Sequence, residues 1–275
     1  MLNSIKDFCA KLHNKLSITS NRFILITTLY FGFILNIAFW NFVLTNIVIN
    51  SFSVFLFLIS LLFFISFPLY LLFNLIIVPY IGKPLVIILL LLSSSANFFM
   101  YNYGVYIDAD MIRNVFETNQ REALDLFTLK FCLIYLLTGI LPAIIVAFTK
   151  INYSSLKQEI KHRTIYTLIG LCIIGIFAGT SFKEYASFGR NNREVRKLIN
   201  TLNYNYAIVR YFQKQALLKR EFLKLDENAL IEPYEDPYKT VLIMVVGETA
   251  RAKNFSLNGY TQKTNPLLEK QDVVN

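Results

Sequence analysis

Charged side chains are scarce in this sequence: Asp, Glu, Lys and Arg make up 16% of its 275 residues, against 55% hydrophobic and 15% aromatic. An ordinary soluble domain carries roughly 25% charged residues, so this balance excludes one and makes lipid the natural solvent. Cysteine is nearly absent as well. Cys9 lies in the amino-terminal tail, while Cys132 and Cys172 lie inside apolar runs, which leaves no disulfide framework to read. A compact basic patch is also missing. The formal charge of +9 comes from 27 basic and 18 acidic residues, but the cations are dispersed beside the ends of apolar runs, where they meet lipid head groups. That pattern argues against nucleic acid as a partner.

What is present is a series of apolar runs long enough to cross a hydrocarbon core of about 30 Å, which takes about 20 helical residues. They fall at residues 23–45, 52–78, 84–100, 127–148 and 165–182, with Pro68 and Pro142 inside two of them as expected kinks. Backbone groups in lipid must be bonded within their own segment, so these runs read as five transmembrane helices. The first follows Lys6, Lys11, Lys15 and Arg22, as in a signal peptide. It runs past signal length without a small-residue cleavage pattern, and so reads as an uncleaved anchor.

Orientation follows from the loops, because short cytoplasmic loops hold the excess of Lys and Arg. The amino-terminal tail, the second loop with Lys83 and the fourth with Lys150, Lys157, Lys161 and Arg163 belong inside. The third loop, 101–126, holds Asp108, Asp110, Glu117, Glu122 and Asp125 against Arg113 and Arg121, and belongs outside. Five spans then send the carboxy terminus outside. The fold class expected is a membrane α-helical domain, residues 1–182, followed by an amphipathic helical linker over 183–237 and the beginning of an outer α/β domain over 238–275.

In the linker, Val195, Leu198, Leu202, Val209, Phe212 and Ala216 recur at helical spacing. Such a helix lies either on the membrane surface, with Tyr204, Tyr206 and Tyr211 at head-group depth, or against a soluble domain. Glu232 to Pro237, with two prolines and three acids, reads as a connector. The apolar run from Lys239 to Glu248 that follows has the length and flanks of a buried parallel strand. Glu248 at its carboxyl end is a candidate metal ligand, because open α/β sheets gather ligands there. The competing reading is a partner for a helix dipole.

A second constellation sits in the third loop. Asn114, Thr118 and Glu122 are spaced i, i+4, i+8 and share one face of a continuous helix, opposite Ile112, Val115, Phe116, Ala123 and Leu126. An amide, a hydroxyl and a carboxylate in a row suit recognition of an ammonium or a phosphate ester. A solvated face of an interfacial helix has the same pattern.

Gly247-Glu248-Thr249-Ala250-Arg251, continuing to Tyr260 and followed by Thr264-Asn265-Pro266, closely resembles the start of the catalytic domain in bacterial lipid A phosphoethanolamine transferases, a family that includes the mobile colistin-resistance enzymes. The segments Tyr103 to Asp108, Met111 to Val115 and Thr118 to Glu122 resemble the family's periplasmic loop. The resemblance implies a five-helix inner-membrane domain carrying a periplasmic, zinc-dependent domain of the alkaline-phosphatase type. It implies transfer of phosphoethanolamine from phosphatidylethanolamine to lipid A through a phospho-threonine. Glu248 then matches a zinc ligand, and Tyr103, Asn114, Thr118 and Glu122 match the phosphatidylethanolamine site. The nucleophilic threonine and the remaining Asp and His ligands are expected beyond Asn275, so the chain is expected to be catalytically incomplete, with no catalytic residue of its own. Thr249 does not match the nucleophile, and His13 and His162, both expected inside, cannot complete the zinc site. Alternatives are a related transferase with another acceptor or a glycerol phosphate donor, and a non-catalytic membrane scaffold.

Overall fold

The computed structural model describes residues 16–217, 243–244, 247 and 250–271. The chain divides into two compact units, Met1–Arg220 and Glu221–Asn275.

The larger unit is helical. Five segments are long and apolar enough to span a membrane: Ser20–Asn46, Phe52–Ile76, Gly82–Tyr103, Leu129–Phe148 and Leu156–Thr180. The first consists of α1 (Ser20–Phe33), a 3-10 turn (Ile34–Asn36) and α2 (Ile37–Asn46); the second and third are α3 (Phe52–Ile76) and α4 (Gly82–Tyr103). Two short helices, α5 (Ala109–Glu117) and α6 (Gln120–Asp125), lead to the fourth, made of α7 (Leu129–Tyr135), a π-helical turn (Leu136–Ile140) and α8 (Leu141–Phe148). The fifth is α9 (Leu156–Thr180), and α10 (Phe182–Asn191) and α11 (Asn200–Leu217) follow it.

Buried residues sit where the spans face one another: Ile24 and Phe31 on α1, Leu61, Leu69 and Phe73 on α3, and Val86 and Leu90 on α4. Lipid is as apolar as leucine, so close packing and interhelical hydrogen bonds carry span association, and small residues mark the contacts. Gly32 is one: a Cβ there lies 3.0 Å from Ser66 Oγ. At Gly139, a Cβ lies 3.0 Å from Ser94.

Two breaks in the spans have identifiable causes. Pro142 has no N–H for the carbonyl of Thr138, four residues earlier, and the π-helical turn lies just before it. The freed Thr138 carbonyl accepts instead from Tyr30 OH on the first span, at 2.8 Å. Pro68, also expected as a kink, sits inside the uninterrupted α3. At the 3-10 turn in the first span, Asn97 of α4 and Asn200 of α11 supply the hydrogen bonds that the helix forgoes. Irregular backbone at membrane depth survives only when protein covers it in this way.

The fifth span begins at Leu156, not at residue 165, and so takes Lys157, Glu159, Lys161 and Arg163 into its first turns. A buried ion pair makes this possible. Glu159, 8% exposed, accepts from Ser20 Oγ at 2.7 and 2.8 Å, from Ser154 N–H at 2.8 Å and from Arg163 Nε at 3.1 Å. Arg163 in turn donates to the carbonyls of Asn74 and Ile77 at 2.6 and 2.8 Å, satisfying acceptors that the end of α3 leaves open. Beside this network, β1 (Ser17–Thr19) pairs in parallel with β2 (Lys150–Asn152), Ser17 opposite Lys150. Nothing in the sequence pattern announces strands of three residues.

α11 packs its first turns against α4 and the 3-10 turn of the first span. Its first residue, Asn200, is 1% exposed and bonds to the carbonyls of Leu35 and Ser93 at 2.7 Å each. Ser93 is halfway along α4, about 16 Å from Gly82 at 1.5 Å per residue. Tyr204, expected among head groups, is 3% exposed and hydrogen-bonded to Ser93 Oγ at 3.0 Å.

In the second unit the described residues form three 3-10 turns, Ala252–Asn254, Ser256–Asn258 and Leu268–Lys270. Side chains staple them. Ser256 N–H donates to Thr264 Oγ1 and Asn265 Oδ1 at 3.0 and 3.1 Å, Asn265 N–H donates to Ser256 Oγ at 3.1 Å, and Thr264 Oγ1 donates to the Asn254 carbonyl at 2.6 Å. Gly259 adopts φ +86°, a conformation open to glycine at no steric cost. Of the run expected as a buried strand, Ile243, Met244 and Gly247 are described; they have no regular structure, and Ile243 and Met244 are 79% and 80% exposed. A strand is stable only beside partner strands, and among the described residues of this unit there is none.

Candidate functional site

The loop between α4 and α7 is built by local capping. Gly104, at φ +66°, ends α4 just after Tyr103, and Asp108 starts α5 by accepting from Met111 N–H at 3.1 Å. One face of α5 is pinned from beside it. Ile112 is buried, the Phe116 ring stacks on Tyr211 of α11 at 5.2 Å, and Asn203 of α11 donates to the Ile107 carbonyl at 2.7 Å.

The continuous helix expected through Asn114, Thr118 and Glu122 is broken. Thr118 is extended at ψ 127° and closes α5, and Asn119 Oδ1 accepts from Glu122 N–H at 3.0 Å to open α6. An asparagine prefers capping to a helix interior because its side chain competes for backbone donors. Asn114 and Thr118 remain adjoined, the Thr118 N–H and hydroxyl both donating to the Asn114 carbonyl at 2.8 and 2.5 Å. Glu122 sits one helix further on, and Tyr103 lies at the end of α4, its ring stacked on Phe99 at 5.7 Å. Tyr103, Asn114 and Glu122 are exposed. Among the described residues no hydrogen bond links the side chains of the four to one another; the Thr118 hydroxyl is engaged by the Asn114 carbonyl, and the other three side chains face solvent.

Two polar constellations escaped the sequence reading. The first is a buried knot: Asn36 Oδ1 accepts from Asn200 N–H at 2.8 Å, Asn36 Nδ2 donates to the Phe31 carbonyl at 2.7 Å, and Ser93 Oγ meets Thr201 Oγ1 at 3.1 Å as well as Tyr204 OH. A polar residue inside an apolar run, as Asn36, Ser93 and Asn97 are, is the signal that marks such a knot. The second is a cleft of about 520 Å³ between the start of α5 and α11, lined by Asp108, Asp110, Arg196, Lys197, Arg210 and Lys214 among others. Lys214 holds Asp110 at 3.0 Å, and this hydrogen bond and charge keep the Asp110 carboxyl below its ordinary pKa. Glu194, 2.6 Å away, raises Lys197.

A family model described as phosphoethanolamine transferase EptA/EptB matches residues 62–216, the stretch that contains this loop, the cleft and the α4 and α11 side of the knot. The chain belongs to the EptA/EptB phosphoethanolamine transferase family. Phosphoethanolamine transferase EptA of Escherichia coli K12 is 31% identical over 260 residues, covering 91% of this chain and 46% of that protein. Phosphatidylethanolamine transferase Mcr-1 of Escherichia coli is 31% identical over 199 residues, covering 71% and 37%. The solved lipooligosaccharide phosphoethanolamine transferase A of Neisseria meningitidis, an integral membrane protein, superposes with a TM-score of 0.83 at 28% identity, over 92% of this chain and 47% of that one. The chain thus spans about half the length of the EptA proteins it matches. It is a multi-pass membrane protein whose five spans match the membrane part of that family member.

Glu248, the expected metal ligand, lies outside the described residues. Among the described residues no three His, Cys, Asp or Glu side chains stand together as a metal site. The donor set that zinc requires is therefore not furnished by the described residues.

Proposed function

We propose that this chain is the membrane and donor-binding part of an inner-membrane enzyme that moves phosphoethanolamine from phosphatidylethanolamine to lipid A. The cation-rich ends of the spans face the cytoplasm, and the α4 to α7 loop and the residues after α9 face the periplasm. In this reading Tyr103, Asn114, Thr118 and Glu122 hold the donor head group. The Glu122 carboxylate meets the ammonium, the Asn114 amide meets phosphate oxygens, the Thr118 hydroxyl steadies Asn114 by donating to its carbonyl, and the Tyr103 ring lies beside the cation as aromatic faces do. Glu248 contributes to a zinc site of which the family resemblance assigns the other ligands and the threonine nucleophile to positions after Asn275.

The observation that carries the reading is the match to the Neisseria protein across 92% of this chain, combined with the exposed Tyr103, Asn114 and Glu122 side chains, whose chemistry complements phosphoethanolamine. Confinement to the membrane suits two lipid substrates, because binding both at one surface raises their effective concentration. Mass spectrometry of lipid A from cells expressing the full-length gene is the test. The expected result is a species heavier by one phosphoethanolamine, lost when Glu122→Gln is introduced. Unmodified lipid A from a well-expressed protein overturns the proposal. Labelling of cysteines introduced in α6 and at position 248 checks the orientation, and reaction from the cytoplasmic side excludes it.

A further inference from the structure

The cleft between the start of α5 and α11 stands apart from the four donor-site residues, none of which lines it. Four cations converge on it, Arg196, Lys197, Arg210 and Lys214, against two carboxylates. The carboxylates are already engaged: Asp108 caps α5, and Asp110 is paired with Lys214. Lys197 has its own partner in Glu194 outside the cleft. Arg196 and Arg210 have no carboxylate within ion-pair distance among the described residues, and both are exposed, the Arg210 guanidinium lying 5.9 Å over the Tyr206 ring.

A solvated basic face spreads its charge over a convex surface, where water and salt screen it. Here the charge lines a concave wall, which focuses the potential and favours an anion inside. Two free guanidinium groups match the planar, bidentate geometry of phosphate oxygens, and Lys197 and Lys214 add point charges at the edge. The cleft is held open from the fold itself, since α11 is anchored at Asn200 and α5 is stacked on it through Phe116.

We infer that this cleft is a binding site for the phosphomonoester of a glycolipid, and, on the reading above that this end of the bundle faces the leaflet holding the acceptor, that it receives a lipid A phosphate. Donor and acceptor are then held by separate groups, the donor by neutral and acidic side chains and the acceptor by arginines.

The test is binding by the 275-residue chain in nanodiscs, titrated with bisphosphorylated lipid A, phosphate-free lipid A and inorganic phosphate. Wild type is expected to prefer the bisphosphorylated lipid, with a margin that shrinks as salt rises. Arg196→Gln with Arg210→Gln is expected to weaken that binding by about tenfold or more, the scale of losing charge-assisted hydrogen bonds. The same double variant should leave phosphate-free lipid A and the melting temperature unchanged, and Lys183→Gln, which removes a charge elsewhere, should have no effect. If the double variant fails to fold, the salt-dependent preference of wild type decides. Equal affinity for both lipids, unchanged affinity in the double variant, or inorganic phosphate binding as tightly as the lipid each overturns the inference. Loss of transfer in cells with this binding intact sinks the transfer reading and leaves the anion site standing.

Discussion

The buried knot around Asn200 and the exposed loop around Asn114 use the same kinds of side chain for opposite ends. In the knot, amides and hydroxyls are committed: Asn36, Ser93, Thr201 and Tyr204 bond to one another or to backbone, and Asn200 reaches two carbonyls on different spans. In the loop, the side chains of Asn114 and Glu122 have solvent around them while the backbone and the caps do the holding. A buried polar group without a partner is costly, and the knot pairs most of its groups, although Asn200 Oδ1 is buried without a hydrogen-bond partner among the described residues. The difference separates residues that specify the structure from residues free to take a ligand.

The sharpest way to test that separation is to remove committed groups and watch the fold fail. Arg163→Ala should cost about 3–5 kcal/mol in a reversible unfolding measurement in detergent, because it leaves Glu159 as a buried charge and frees the end of α3. A loss below about 1 kcal/mol indicates that water reaches Glu159 and that the network is not buried in the working protein. Asn200→Ala should cost about 1–3 kcal/mol by leaving the Leu35 and Ser93 carbonyls without their extra donor. Hydrogen exchange should then speed up in α11 first, since that helix starts at the lost contact. Tyr30→Phe removes a single donor to the carbonyl that Pro142 frees, and about 1 kcal/mol is expected, the usual size of an interhelical hydrogen bond in a membrane.

The loop should behave in the reverse manner. Glu122→Gln and Asn114→Ala are expected to change stability by no more than about 0.5 kcal/mol, as for exposed positions, while phosphoethanolamine transfer falls by about tenfold or more through lost charge-assisted contacts. A variant that unfolds, or one that retains full transfer, erases the distinction between the two regions.

How much of this was legible without coordinates depended on how local the cause is. Span number and placement follow from run length, and the second span, expected at 52–78, is found at Phe52–Ile76. The spacing in the loop suits one continuous helix, but Asn119 satisfies that spacing and also caps, and of the expected apolar side Ile112 is buried while Val115 and Phe116 are 61% and 63% exposed. The early start of α9 is hidden for a different reason: Glu159 and Arg163 read as loop residues until their partners Ser20, Asn74 and Ile77, distant in sequence, are placed beside them. The burial of the start of α11 is hidden in the same way, since its amphipathic pattern says which face is apolar and nothing about what that face meets. Arg196 and Arg210, without an ion-pair partner among the described residues, read from the sequence as dispersed charge, and the fold places both on one cleft.

The smallest effect expected comes from the surface pair that joins the two helices of the cleft, Asp110 on α5 and Lys214 on α11. Lys214 depresses the Asp110 carboxyl, so the stabilising contribution of the pair is fully present above the carboxyl's unfolded pKa and is lost as pH falls through its lower folded value. Both side chains are more than half exposed, so salt should weaken the pair as acid does. Hydrogen exchange of the α5 amides, followed from neutral pH into acid with correction for the intrinsic rate, should reveal a modest loss of protection confined to α5. Asp110→Asn should abolish that pH dependence and leave the knot around Asn200 as protected as before. A parallel loss in α11 below Asn200 would mean that the pair helps to anchor the committed region as well, and the boundary between the two regions would have to be drawn further into the bundle.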